Sequence, residues 1–340
     1  EQPDNPGRGA PSSGGEAVLS LPIAPEQGAA GHSRRGGIRR SRTAVRRAWV
    51  LAAVQLLIAA HVVQWWLTGQ TTTPIEPSES MEFVKRGVVN VGLIFFALAL
   101  LSTLVLGRWF CGWGCHLVLL QDLCGWLMKR SGIRPRPFRS RILIYVPLIV
   151  ALYMFIWPVV YRWIIAPAFG TAPSLPDWQL QAHLTTTDFW STFAGVAVAI
   201  PFLFVCGFAT VYFLGSKGFC TYGCPYGGFF APLDRLAPAR IRVNDSCEHC
   251  GHCTAVCTSN VRVHEEVRDY GMVVDPGCMK CLDCVNVCPN DALSFGLGRP
   301  AVGAAARVPT PAPKRYDLSW GEELMMATVF AAVFFALRGL

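Results

Sequence analysis

This sequence predicts a mainly α-helical integral membrane protein of four to five or more transmembrane helices, with one small α+β domain appended. Three observations lead there. Hydrophobic residues make up 52% of the 340 and charged residues only 15%, which is too apolar for an ordinary soluble chain. Apolar runs long enough to cross a bilayer recur through the first two-thirds of the chain. Between Cys247 and Pro289, eight of the 14 cysteines fall into two copies of one spacing.

Taken in order, residues 1–33 are rich in Gly, Pro, Ser and Ala without apolar periodicity, and a disordered tail is expected there. Residues 34–214 form the membrane region. Its first span is Ala48 to Leu67, ending in Trp65 and Trp66 at interfacial depth. This run is too long for a signal peptide and lacks a small-residue cleavage site. Further spans are expected over Gly87–Leu106, Ile142–Val160 and Phe189–Leu214. Segment 215–241 is a connector, 242–296 the small domain and 297–322 a Gly/Ala/Pro linker. Residues 323–340 begin another apolar helix, interrupted by Arg338. Within the small domain, Met272-Val-Val274 suggests a short hairpin.

Basic residues set the orientation. Arg34, Arg35, Arg39, Arg40, Arg42, Arg46 and Arg47 precede the first span. The 107–141 loop adds Arg108, Lys129, Arg130, Arg134, Arg136, Arg139 and Arg141, whereas the intervening loops hold only Lys85, Arg86 and Arg162. Alternation then places the N-terminus, the 107–141 loop and everything from Gly215 to about Gly321 on the cytoplasmic side of a bacterial inner membrane. The formal charge of +8 falls to about +4 once eight thiolates and two cluster cores of about +2 each are counted, so nucleic acid is not an expected partner.

The cysteine-rich stretch reads Cys247-Glu-His-Cys250-Gly-His-Cys253-Thr-Ala-Val-Cys257, then Cys278-Met-Lys-Cys281-Leu-Asp-Cys284-Val-Asn-Val-Cys288-Pro289. Each half is C-x2-C-x2-C-x3-C, and the halves repeat at an offset of 31 residues. Three cysteines two apart can wrap one face of an iron–sulfur cube, while the fourth lies too far along and ligates the neighbouring cube. Cys247, Cys250, Cys253 and Cys288 are therefore assigned to one 4Fe–4S cluster, and Cys278, Cys281, Cys284 and Cys257 to a second. A pair of zinc knuckles is the competing reading, but zinc has no use for a fourth cysteine at that spacing. Reduced thiols also fit the cytoplasmic side reached from the arginines. Thr258 stands where the second half has Pro289.

Two more pairs stand where spans emerge: Arg108-Trp-Phe-Cys111-Gly-Trp-Gly-Cys115-His116 and Lys217-Gly-Phe-Cys220-Thr-Tyr-Gly-Cys224-Pro225. On a helix, i and i+4 sulfurs face one way. Brought together, the four would make a tetrathiolate site for iron–sulfur or another soft metal such as copper. Free thiols packed among glycines and redox-active dithiols are the other readings. Cys124 and Cys206 fall outside both patterns, Cys206 as a small hydrophobe within a span. His61 within the first span and His183 in an outer loop are candidates for quinone or haem contact. No phosphate-binding glycine loop or hydrolytic nucleophile motif stands in a useful context.

The order of spans, C-x3-C pairs and two-cluster stretch resembles the membrane-bound polyferredoxins: the NapH/MauN type, the NosR type and the cytochrome-oxidase accessory ferredoxins. The resemblance covers about Ala48 to Phe295 and is carried by the eight cluster cysteines and Phe219-Cys220-Thr-Tyr-Gly-Cys224-Pro225. His116 replaces the proline usual after the first pair. The resemblance implies a bacterial-type two-cluster ferredoxin domain. It also implies electron passage between quinol or a cytoplasmic donor and a periplasmic redox or metalloenzyme-maturation system, without substrate chemistry of the chain's own. A copper-reducing or assembly factor using the C-x3-C cysteines, and a membrane redox sensor, are the alternative roles.

Overall fold

A computed structural model describes residues 37–171, 175–190, 195–314 and 316–338; the tail expected over 1–33 lies outside the described residues. Among the described residues three helices are long and apolar enough to cross a membrane: Arg42–Thr68, Leu143–Ala168 and Val196–Leu214. The expected second span is a shorter apolar helix, Val91–Leu106. The expected fifth is the helix Trp320–Arg338, which is not among those three. Much of their apolar surface is unburied, Leu56, Leu57, Ile149, Val198 and Ile200 among it, as lipid-facing side chains would be.

Several boundaries differ from the sequence expectation, each for a local reason. The first helix starts at Arg42 rather than Ala48, because Ser41 Oγ accepts the Ala44 N–H at 3.1 Å as a side-chain cap. Arg42, Arg46 and Arg47 are thus helical. The second span does not start at Gly87, whose φ of 81° closes the short helix Met81–Arg86. Asn90 Oδ1 then caps the Leu93 N–H at 2.8 Å, and the helix begins at Val91. The third continues past Val160 through a π-turn, Tyr161–Ile165, to Ala168. The fourth begins at Val196, not Phe189, and carries Pro201 and the π-turn Val205–Ala209. Phe189 instead packs its ring 4.9 Å from that of His61.

At one end of the bundle the connecting loops are knitted by two short ladders. Thr71–Thr72 pairs antiparallel with Thr185–Thr186, and Val88–Val89 pairs parallel with Gln181–Ala182. Arg162 donates into this end, to the carbonyls of Lys85 and Pro176 at 2.7 Å each.

The small domain is closed by strand Arg240–Val243 pairing antiparallel with Leu293–Gly296. The expected hairpin is absent from the stretch between the two cysteine sets. A helix, Val263–Tyr270, stands there instead, and Met272 makes only an isolated bridge to Arg242. The reason is the four-residue spacing of Val263 and Val267, both buried with Ile241, Val273 and Leu293. The linker is tied down rather than free: Arg307 N–H donates to Asp269 O at 2.6 Å and Ala312 N–H to Asp269 Oδ2 at 2.8 Å.

Candidate iron–sulfur sites

Two short helices, His252–Ala255 and Asp283–Asn286, place the last cysteines of each half at the same 31-residue offset. The turns between cysteines need left-handed backbone. All five non-glycine residues with positive φ described in the chain lie in this domain: His249, Asn260, Lys280, Leu282 and Asp291. They pair at the repeat offset, His249 with Lys280 and Asn260 with Asp291, while Leu282 pairs with Gly251 at φ 78°. Such conformations cost about 1–3 kcal/mol each and mark backbone held for a purpose.

The sulfurs gather in two sets. Cys247, Cys250, Cys253 and Cys288 line one cavity, with His249 and His252 on its rim. Cys257 crosses over to stand against Cys281 and Cys278, and Cys284 shares that neighbourhood. Burial pushes the Cys253 thiol up to about 12. Burial, then the Asp283 carboxylate, pushes Cys281 up to about 11. Bare thiolates are therefore unfavourable in both sets, and a cationic iron core is what would stabilise them. The donor set fits 4Fe–4S clusters. The two sets differ in surroundings: Cys250 is exposed, whereas Cys278 and Cys284 are buried.

The buried set faces the membrane bundle. Ser41 Oγ donates to Asp283 Oδ1 at 2.7 Å, and Arg47 reaches Asp283 Oδ2 at 2.6 Å. Trp113 Nε1 donates to Lys280 O at 3.0 Å. Lys280 Nζ donates to Asp234 Oδ1 at 2.7 Å, and Arg240 Nη2 lies 3.0 Å from Asp234 Oδ2. Arg108 completes the network, its backbone N–H to Asp234 Oδ1 at 3.0 Å and its Nη1 to Pro276 O at 2.9 Å.

The C-x3-C pairs lie in the same buried core. Cys111 and Cys220 pack with Met279, which sits between two cysteines of the domain's second half. Cys115 and Cys224 flank them, and all four thiols share one electrostatic neighbourhood. Burial, then Cys111, pushes Cys115 up to about 12. Cys220 Sγ donates to Gln121 Oε1 at 3.3 Å. Cys124 packs apart, with Met128 and Val211, whereas Cys206 lies within electrostatic reach of Cys224 and its carbonyl accepts Gln121 Nε2 at 3.2 Å. His61 Nε2 lies 3.2 Å from Thr72 Oγ1, and the His183 backbone N–H donates to Val89 O at 2.9 Å.

Sequence reasoning passed over Asp234, Met279 and Gln121. Met279 and Lys280 carried a signal, since both stand between cysteines. Asp234 was visible only as a lone carboxylate within Phe229-Phe-Ala-Pro-Leu-Asp-Arg.

A family described as a 4Fe-4S binding domain matches residues 90–134 and 190–244, the two segments that carry the C-x3-C pairs. The chain is similar to the putative electron transport protein YccM of Escherichia coli, 28% identical over 63% of this chain and 58% of that protein. It is 27% identical to the ferredoxin-type protein NapH of Haemophilus influenzae, over 60% of this chain and 67% of the relative. It is 26% identical to the methylamine utilization ferredoxin-type protein MauN of Methylobacillus flagellatus, over 62% of this chain and 76% of the relative. No solved structure matches. By these likenesses the chain is similar to the ferredoxin-type NapH and MauN proteins, and its two C-x3-C segments match a 4Fe-4S binding domain.

Proposed function

We propose that the chain is a membrane-bound electron relay, with Cys247, Cys250, Cys253 and Cys288 on one 4Fe–4S cluster and Cys257, Cys278, Cys281 and Cys284 on the other. It connects quinol or a cytoplasmic donor to a periplasmic redox or metalloenzyme-maturation system. One observation carries this reading. The first cysteine set opens to solvent, whereas the second is docked on the bundle through Met279, Lys280 and Asp283. A chain of one-electron centres running from solvent into a bundle serves transfer between partners rather than chemistry on a bound substrate.

The relay places the ferredoxin domain and N-terminus in the cytoplasm of a bacterial inner membrane, with the ladder-knitted loops outside. The test uses sealed vesicles of either orientation, a membrane-impermeant reductant and the visible absorbance of the clusters. Bleaching only in inverted vesicles, followed by recovery when a quinone is added, is the expected result. Bleaching only in right-side-out vesicles overturns the orientation. Clusters that stay reduced in the presence of every quinone and soluble acceptor tried overturn the relay.

A further inference from the structure

The arginines around the start of the first long helix do not share one environment. Arg39, Arg40, Arg42 and Arg46 are exposed, whereas Arg47 is only 4% exposed. An arginine that serves only to orient a span has no need to leave water. Burying a guanidinium is costly unless it is paired. Two carboxylates pair this one, Asp283 Oδ2 at 2.6 Å from Nη1 and Asp122 Oδ2 at 3.8 Å from Nη2. Asp122 in turn holds Lys217.

Asp283 stands between Cys281 and Cys284. Its oxygens are taken up by the first helix and its cap, Oδ1 by Ser41 Oγ at 2.7 Å and Oδ2 by Arg47. The Arg42 N–H adds a bond to Asn286 Oδ1 at 2.6 Å. This carboxylate is thus an anchor by which the cysteine-bearing turn grips a lipid-embedded helix.

Such an anchor is awkward for the chemistry beside it. A 4Fe–4S core on four thiolates carries about −2 when oxidised and about −3 when reduced. A neighbouring carboxylate disfavours the added electron, and burial does the same by withdrawing water from the more highly charged state. Arg47 is the counterweight. It lies within electrostatic reach of Cys281 as well as of Asp283, and a guanidinium keeps its charge at any physiological pH. The first half of the repeat is built differently. There the counterpart of Asp283, 31 residues earlier, is His252, on the rim of the solvent-facing cavity.

We propose that Arg47 is the positioning residue that sets the reduction potential of the cluster held by Cys257, Cys278, Cys281 and Cys284, offsetting Asp283 and keeping that cluster within reach of its solvent-facing neighbour. This deepens the relay reading and rests on its cluster assignment. The step governed is transfer of one electron between the two clusters, with the thiolates staying bound and no proton moved. A unit charge acting at about 10 Å through an effective dielectric of about 20 changes such an equilibrium on the order of tenfold. For one electron that is about 59 mV.

The test is an EPR-monitored redox titration of the anaerobically purified full chain, with iron content measured alongside. Wild type, Arg47→Gln, Asp283→Asn and the double variant are compared, and the buried cluster's signal is identified by its loss in Cys257→Ser. Arg47→Gln is expected to lower the midpoint of that signal by about 59 mV. Asp283→Asn should raise it, and the double variant should return near wild type, while the other ferredoxin signal stays put. Opposite signs separate tuning from packing, because both single variants break the same ion pair and a purely structural role would move the midpoint one way in each. Shifts of one sign in both, or no shift in either, overturn the proposal. If Arg47→Gln does not fold, the difference between Asp283→Asn and the double variant gives the Arg47 contribution directly. A wild type with a single ferredoxin signal removes the cluster assignment and this role with it. Loss of electron exchange with all partners, with the opposite shifts present, removes the relay and leaves the role of Arg47 standing.

Discussion

At Gly112 the main chain of the bundle abuts the main chain of the ferredoxin domain. A Cβ there would stand 2.3 Å from Met279 O, 3.4 Å from Met279 C and 3.6 Å from Met279 Cβ. Ordinary contact begins near 3.4 Å, so Gly112→Ala must separate the two backbones by about 1.1 Å. Neither side can yield by a rotamer change, because the clash is with main chain. The same opening would break the 3.0 Å bond from Trp113 Nε1 to Lys280 O. Overpacking costs about 1–3 kcal/mol and the lost hydrogen bond about 0.5–1.5. Alanine returns up to about 1 kcal/mol through helix propensity. The net expectation is about 1–3 kcal/mol of destabilisation, confined to the docking of the domain. Guanidinium titration followed by cluster absorbance measures it, with Gly321→Ala as control because nothing lies within 4 Å of a Cβ there. Power-saturation EPR of the reduced second cluster reports the docking itself. A Gly112→Ala protein with the control's midpoint and the wild type's saturation curve would show that the contact does not set the geometry.

Three further outcomes follow from the same network. Arg47→Met leaves the buried Asp283 without its 2.6 Å partner, and a loss of about 3–5 kcal/mol in thermal or denaturant stability is expected, most of it recovered by adding Asp283→Leu; an Arg47→Met protein as stable as wild type contradicts this. Burial, then Asp275, raises the Glu266 carboxyl to about 7. The folded state then holds a proton that the unfolded chain has lost, so stability falls as pH rises from about 4.5 to about 7, by at most about 3 kcal/mol, and levels off above. Glu266→Gln, which keeps an acceptor for the Val274 and Asp275 N–H groups at 3.0 Å, should flatten that slope, and an unchanged pH profile would refute the assignment. Cys257→Ser should remove the EPR signal of the buried cluster and spare the solvent-facing one, with Cys288→Ser doing the reverse; loss of the other signal in either variant would contradict the crossover.

The sequence was most informative where spacing alone carries chemistry. The 31-residue repeat announced two equivalent loops, and the positive φ values of His249 and Lys280, or Asn260 and Asp291, recur at that interval. The pairs at Cys111 and Cys220 were legible as equivalents for the same reason. Boundaries set by single side chains were harder: Ser41 and Asn90 cap helices that hydropathy placed elsewhere. The alternation of Met272-Val-Val274 suggests a hairpin, whereas the signal that decides this stretch is the four-residue spacing of Val263 and Val267 in the helix just before it. The arginines were only partly understood by counting. Arg47 is engaged with Asp283 and Arg162 with three carbonyls, so their positions answer to packing as well as to membrane topology. Contacts such as Asp234 with Lys280, 46 residues apart, leave no local trace.

Asp234 gathers the Lys280 and Arg240 side chains and the Arg108 backbone N–H around one fully buried carboxylate. Exchanging Asp234 alone strands the charges of Lys280 and Arg240 away from water, so no single step there leads smoothly to a different arrangement. Substitutions here are expected to be tolerated only as matched sets. A library that randomises Asp234, Lys280 and Arg240 together should yield apolar replacements that every one-at-a-time scan misses.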